Sequence, residues 1–146
     1  MTIGAMGSVT PFPSNRPRPH VVVVDDDLGT CRLLQSVLES EDVTVVATAT
    51  GGEEALDVVE RLEPDVVLMD LRMPRMSGLE ATRRIRELDP RVSVVILTVY
   101  DDAQLEEGAE EAGVFCYLVK GCPPAMIKRV VMQAWAHGRS SSGASS

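Results

Sequence analysis

The 146-residue chain has few of the groups that would assign it to several large functional classes. Its three cysteines, Cys31, Cys116 and Cys122, form no CxxC pair, and an odd number does not suit a disulfide framework. Reduced thiols in a cytoplasmic protein are expected instead. With only His20 and His137 beside them, the usual ligand spacing of a zinc site is not available. No apolar run reaches the ~18 residues of a membrane span, and the first residues lack the charged and apolar regions of a secretory signal. Positive charge is also scarce, since 14 Lys and Arg face 22 Asp and Glu for a formal net charge of −8. A surface this acidic disfavours the phosphate contacts of nonspecific nucleic-acid binding. Direct DNA binding by this chain alone is therefore not expected.

What remains is an ordinary globular composition, 45% hydrophobic and 25% charged, in a chain long enough to bury one core. Residues 1–19 hold four of the nine prolines and no periodic apolar pattern. They read as a disordered leader. Residues 138–146 read as a linker-like tail, which leaves 20–137 as the folded domain.

Within 20–137, short valine-rich runs alternate with segments of helical spacing. The runs are "HVVVVD" (20–25), "VTVVATA" (43–49), "DVVLMD" (65–70), "VSVVILT" (92–98) and "VFCYLV" (114–119). Four or five apolar residues in a row suit strands covered on both faces. The second run alternates more, as a strand nearer an edge would. Helical spacing appears in Cys31, Leu34 and Leu38; Ala55, Val59 and Leu62; Leu79, Thr82 and Ile85; Leu105, Ala109 and Ala112; and Ile127, Val130 and Ala134. Pro123 and Pro124 fit the first turn of the last helix. Gly51-Gly52 reads as a turn, because no GxGxxG accompanies it. Five successive β-α units predict an α/β fold with a five-stranded parallel sheet, doubly wound by helices on both faces. Ligands of such sheets bind outside the carboxyl ends of the strands.

The residues at that edge are unusual together. The first run ends in Asp25, Asp26 and Asp27, the third in Asp70, the fourth in Thr98, and the fifth leads into Lys120. Asp27 alone reads as a helix cap. Clustered carboxylates raise one another's pKa unless a cation intervenes. Hard oxygen donors of this kind suit Mg²⁺, which takes one or two protein carboxylates and keeps several waters. Lys120 would supply the remaining positive charge. The acids between Asp101 and Glu111 read as a solvated helix face.

From about residue 20 to 137 the chain resembles the receiver domains of two-component response regulators. "VVVVDDD" is similar to the family's acidic pair, and "LMDLRMPRMSG" to the motif around its phosphorylated aspartate. "ILT" and "YLVK" match its switch threonine and lysine. The resemblance implies a flavodoxin-like (CheY-like) fold with Asp70 as phosphoacceptor. Mg²⁺ would be held by Asp25, Asp26, Asp70 and the backbone carbonyl of Arg72. Thr98 and Lys120 would contact the phosphoryl oxygens, and Tyr117 would change rotamer with Thr98 on activation. Arg72 and Tyr100, both bulky, would shield the acyl phosphate from water.

"LTVYDD" and "YLVKG" resemble receivers of NarL/FixJ-type transcriptional regulators. The implied partners are a sensor histidine kinase, a second copy of the chain on phosphorylation, and DNA only through a helix-turn-helix domain absent from this sequence. A stand-alone receiver acting by protein contact or phosphorelay is the alternative. No enzymatic activity beyond self-catalysed phosphorylation and dephosphorylation is implied. An aspartyl phosphatase would want a second acid where Arg72 stands.

Overall fold

Side-chain alternation along each valine run explains why the runs are unbroken. The computed structural model of the protein describes residues 16–99 and 103–144. Strand β1 (His20–Val24) sends Val21 and Val23 into one core and Val22 and Val24 into a second, on the opposite face. Strands β3 (Val66–Asp70) and β4 (Ser93–Thr98) divide their side chains in the same way. A strand with a core on each side has no polar face, so it reads as continuous apolar sequence.

β2 (Thr44–Ala49) and β5 (Cys116–Val119) complete a parallel sheet of order β2-β1-β3-β4-β5. β2 stands at an edge, as its alternation suggested. β5 is the other edge and is only half-buried.

Helices α1 (Leu28–Leu38) and α5 (Pro124–Ala144) cover one face, through Cys31, Leu34 and Leu38 and through Ile127, Val130, Val131 and Ala134. On the other face α3 (Gly78–Leu88) lies between α2 (Gly52–Leu62) and α4 (Ala103–Ala112). The expected α/β architecture, doubly wound with five β-α units, is the observed one.

Three local expectations are revised. Gly51-Gly52 is not a free-standing turn: Gly51 caps α2 and Gly52 is its first residue. A Cβ on Gly52 would stand 2.6 Å from the Met76 sulfur, so the glycine makes room for that side chain. α5 runs on through Gly138 to Ala144, where a linker-like tail was expected. The last residues of the expected leader are tied down. The Pro19 carbonyl accepts from the Thr44 N–H at 3.0 Å, and the Arg16 guanidinium reaches Asp65 at 3.4 Å.

Candidate functional site

The carboxyl edge is assembled by strand ends whose positions follow from the sheet's register. β1 finishes one residue before Asp25, whose N–H donates to the Ala49 carbonyl at 3.0 Å and prolongs the β1–β2 pairing. Asp27 then caps α1, its carboxylate accepting from the Thr30 N–H at 3.2 Å and the Thr30 hydroxyl at 2.6 Å. Those bonds hold its carboxyl below the ordinary range. The Asp27 N–H in turn donates to Asp25 Oδ1 at 2.9 Å. The third acid of the run thus fixes the first one's rotamer. From the helix side the buried Cys31 thiol donates to the Asp25 carbonyl at 3.3 Å. Burial, then the neighbouring Asp25 charge, pushes that thiol's pKa up, so it remains a neutral hydrogen-bond donor.

Asp70 is the last residue of the central strand β3, paired in register with Leu97. Its backbone is pressed against the start of α3. A Cβ on Gly78 would overlap the Asp70 carbonyl oxygen and lie 3.0 Å from Leu71 Cα. Gly78 is therefore demanded by close approach rather than by an unusual dihedral. Between the two, the Met76 N–H donates to the Pro74 carbonyl at 2.8 Å, with Arg75 at φ 71°. This is a γ-turn that only a minority of L-residues adopt. Met76 itself is buried. Ser77 caps α3 by accepting from the Glu80 N–H at 3.2 Å, and Gly78 N–H reaches back to the Leu71 carbonyl at 2.7 Å.

Asp25, Asp26 and Asp70 meet here: one carboxylate oxygen from each lies within 4.8 Å of the others. Asp26 is exposed, while Asp25 is 2% and Asp70 8% exposed. Lys120 follows β5 directly, its N–H bonded to the Thr98 carbonyl at 2.7 Å. Its Nζ lies 3.0 Å from Asp25 Oδ2 and 3.2 Å from Asp70 Oδ1.

Burial raises the pKa of Asp70, and the Asp25 charge adds to it. The Lys120 hydrogen bond and charge work against both. Burial alone would lower Lys120, but its bonds to Asp25 and Asp70 outweigh that and hold it above the ordinary lysine range. The site combines three clustered carboxylates with the Lys120 ammonium. Its three hard oxygen donors, two of them fixed on strand ends, fit Mg²⁺.

The buried Thr98 ends β4. Tyr117 lies three residues before Lys120, opposite Ile96, among the side chains of the α2–α3 core. Because Thr98 pairs with Val119 and Ile96 with Tyr117, alternation puts Thr98 and Tyr117 on one face of the sheet. Arg72 is exposed, two residues beyond Asp70. Tyr100, Asp101 and Asp102 lie outside the described residues, whereas Glu110 and Glu111 are exposed on α4. Among the described residues no peptide bond is cis, that between Lys120 and Gly121 included. Also among them, no helix is long and apolar enough to cross a membrane. All three cysteines are free.

Two groups at the site escaped the sequence reading. In the sequence Cys31 is a reduced thiol at a helical core position, with nothing to mark its bond to the Asp25 carbonyl. The Asp27 N–H is a main-chain donor that no residue type announces.

Comparison with known proteins identifies the family and the fold. Residues 21–132 match the family model described as response regulator receiver domain. The transcriptional regulatory protein LnrK of Bacillus subtilis is 38% identical over 119 residues, 81% of this chain and 54% of LnrK. The chain thus spans about half the length of that relative. The receiver domain of the putative response regulator NarL from Mycobacterium tuberculosis superposes with a TM-score of 0.79 at 27% identity, over 83% of this chain and 98% of that one. A chain of the CheX–CheY–BeF₃–Mg²⁺ complex from Borrelia burgdorferi gives 0.74 at 28% identity, over 80% of this chain and 88% of its own. The matched family, the strand order and the acidic edge agree: the chain belongs to the response regulator receiver domain family and is the receiver domain of a two-component response regulator.

Proposed function

We propose that Asp70 accepts a phosphoryl group, in a Mg²⁺-dependent reaction, from a phosphohistidine of a sensor histidine kinase. An oxygen of Asp70 attacks phosphorus; a P–O bond forms, the P–N bond breaks, and the imidazole leaves with a proton. Such a transfer asks the protein mainly for position and for stabilisation of charge on the equatorial oxygens. The rigid end of β3 provides the position. Lys120, already within 3.2 Å of Asp70, provides one fixed charge.

Asp25, Asp26, Asp70 and the Arg72 carbonyl would hold Mg²⁺, which when bound neutralises charge on the transferring group. The Borrelia complex, which contains BeF₃ and Mg²⁺, supports that assignment by similarity. The single observation that carries the reading is the convergence of three carboxylates at the carboxyl edge, two of them, Asp25 and Asp70, paired with Lys120.

The acyl phosphate adds about two negative charges and several acceptor oxygens. Thr98 donates to one oxygen and moves toward it, and Tyr117, on the same face, follows. The surface formed by α4, β5 and α5 changes as a two-state element biased by a local charge. The output is transcription, through a DNA-binding domain outside this sequence, and the protein works in the cytoplasm. The naming of LnrK as a transcriptional regulatory protein favours this over a stand-alone relay role. Dimerisation through the altered surface accompanies phosphorylation.

Incubation with a small phosphodonor and Mg²⁺, followed by mass spectrometry, tests the assignment. One PO₃ is expected on the wild-type protein, lost with chelator and in Asp70→Asn. Equal labelling of wild type and Asp70→Asn would reject Asp70 as the acceptor.

A further inference from the structure

The opposite, amino edge of the sheet holds a further buried carboxylate, which the phosphoryl-acceptor reading does not use. Asp65 precedes β3 and is 5% exposed. Its Oδ2 accepts from the His20 N–H at 2.8 Å and from Arg16 Nη1 at 3.4 Å. Its main chain joins the same corner: the Asp65 N–H donates to the His20 carbonyl at 2.8 Å, and its carbonyl accepts from the Ser93 N–H at 3.1 Å. Arg16 belongs to the segment ahead of β1, and its side chain is 11% exposed. From α5 the charge of Arg139 acts on Asp65 as well. The pKa of the His20 imidazole, flanked by Arg16 and Arg18, is pushed down first by burial and then by those two charges.

We propose that Asp65 is a proton-operated latch: its carboxylate clamps Arg16, and with it the segment leading into β1, across the amino edge of the sheet, and protonation releases that segment.

Three features support the latch. Burial pushes the Asp65 carboxyl up to about 6, even with Arg16, Arg139 and the His20 N–H all working to lower it. The group therefore changes charge close to neutrality, unlike an exposed acid. Neutral Asp65 keeps its acceptor for the His20 N–H, so β1 stays in place. It leaves the guanidinium of Arg16 largely covered and without its carboxylate partner Asp65, an arrangement that burial penalises strongly. Among the described residues, the segment is otherwise held by the Pro19 carbonyl to the Thr44 N–H and by Arg18 to the Glu41 carbonyl at 3.1 Å. Arg16 turning out to solvent is the accessible relief.

The test follows the Asp65 carboxyl and the Arg16 side-chain Nε–H by NMR from about pH 5 to about pH 7.5. Arg16 is expected to be ordered at the upper end and mobile at the lower, with the midpoint of the Asp65 titration. Arg16→Gln, a change outside both cores, should raise that midpoint, and Asp65→Asn should leave Arg16 mobile throughout. An Arg16 whose order is unchanged across the range would overturn the latch. So would an Asp65 that titrates with the exposed acids. Phosphodonor labelling of Asp70 in Arg16→Gln should match wild type, which keeps this outcome separate from that of the acceptor site.

Discussion

Gly78 and Gly29 are the same residue type in the first turn of a helix, yet a methyl group at each should act with opposite sign. At Gly29 the nearest atoms to an added Cβ are the Asp27 carboxylate oxygens at 3.7 and 3.8 Å, ordinary contacts. Gly29→Ala should therefore be neutral or stabilise by up to about 1 kcal/mol, through helix propensity and a less flexible unfolded chain. At Gly78 the added carbon meets the backbone of Asp70 and Leu71, which cannot rotate away. Gly78→Ala should cost about 1–3 kcal/mol, as overpacking does. It should also slow phosphodonor labelling, because the atoms pushed aside carry the proposed acceptor carboxylate. Urea unfolding of the two variants, with labelling of the second, checks both. The sequence alone showed the chemically marked residues, Asp25, Asp26, Asp70, Thr98 and Lys120, because strand ends gather at one edge of a doubly wound sheet. It could not show that Gly78 answers a steric demand. A glycine needed for proximity looks like a glycine needed for a dihedral angle until the neighbouring chain is in view.

The loop between β3 and α3 shows how an element with no regular structure is made rigid. Ser77 caps the helix, the γ-turn at Arg75 reverses the chain, and Met76 is driven into the core beside Gly52. The proline and glycine marked a constrained loop, but its anchor was hidden, since a methionine between two breakers gives no periodic signal. Met76→Ala should cost about 2–5 kcal/mol, as large-to-small core changes do. Arg75 is exposed and holds a positive φ of 71°. Glycine removes a penalty of order 1–3 kcal/mol there and gives back roughly 0.5–1 kcal/mol in unfolded-chain entropy. Arg75→Gly should thus leave stability unchanged or raise it by about 1–2 kcal/mol, and a loss in thermal unfolding would show that Arg75 makes a compensating contact. The strands were legible to within two residues because their burial is two-sided. The end of α5 was not: "GRSSSGASS" has linker composition, and what Gly138 meets, the Arg91 carbonyl at 2.9 Å from an added Cβ, is a tertiary contact.

Across the fold, both edges of one sheet carry buried carboxylates, and the pH dependence of folding isolates one of them only through its substitution. Asp65 has a folded pKa of about 6, above the ordinary 3.8 of an aspartate. Its contribution to stability is fully present below about 3.8 and is lost as pH rises through about 6. Asp70, also raised, has the same sign. Asp27, lowered, has the opposite sign: its contribution is present above the ordinary value and lost on acidification. His20, lowered, likewise favours the fold at higher pH. The raw stability curve mixes these, so the informative quantity is the difference between wild type and Asp65→Asn. That difference should move in favour of wild type by about 2 kcal/mol between about pH 7 and about pH 4. Denaturant unfolding at several pH values measures it. A flat difference would mean that Asp65 is solvated like a surface acid, contrary to its position under the β1 and β4 ends. The proton that frees Arg16 thus strengthens the core beneath it, because the cost of keeping a charge there exceeds what the His20 N–H, Arg16 and Arg139 together return.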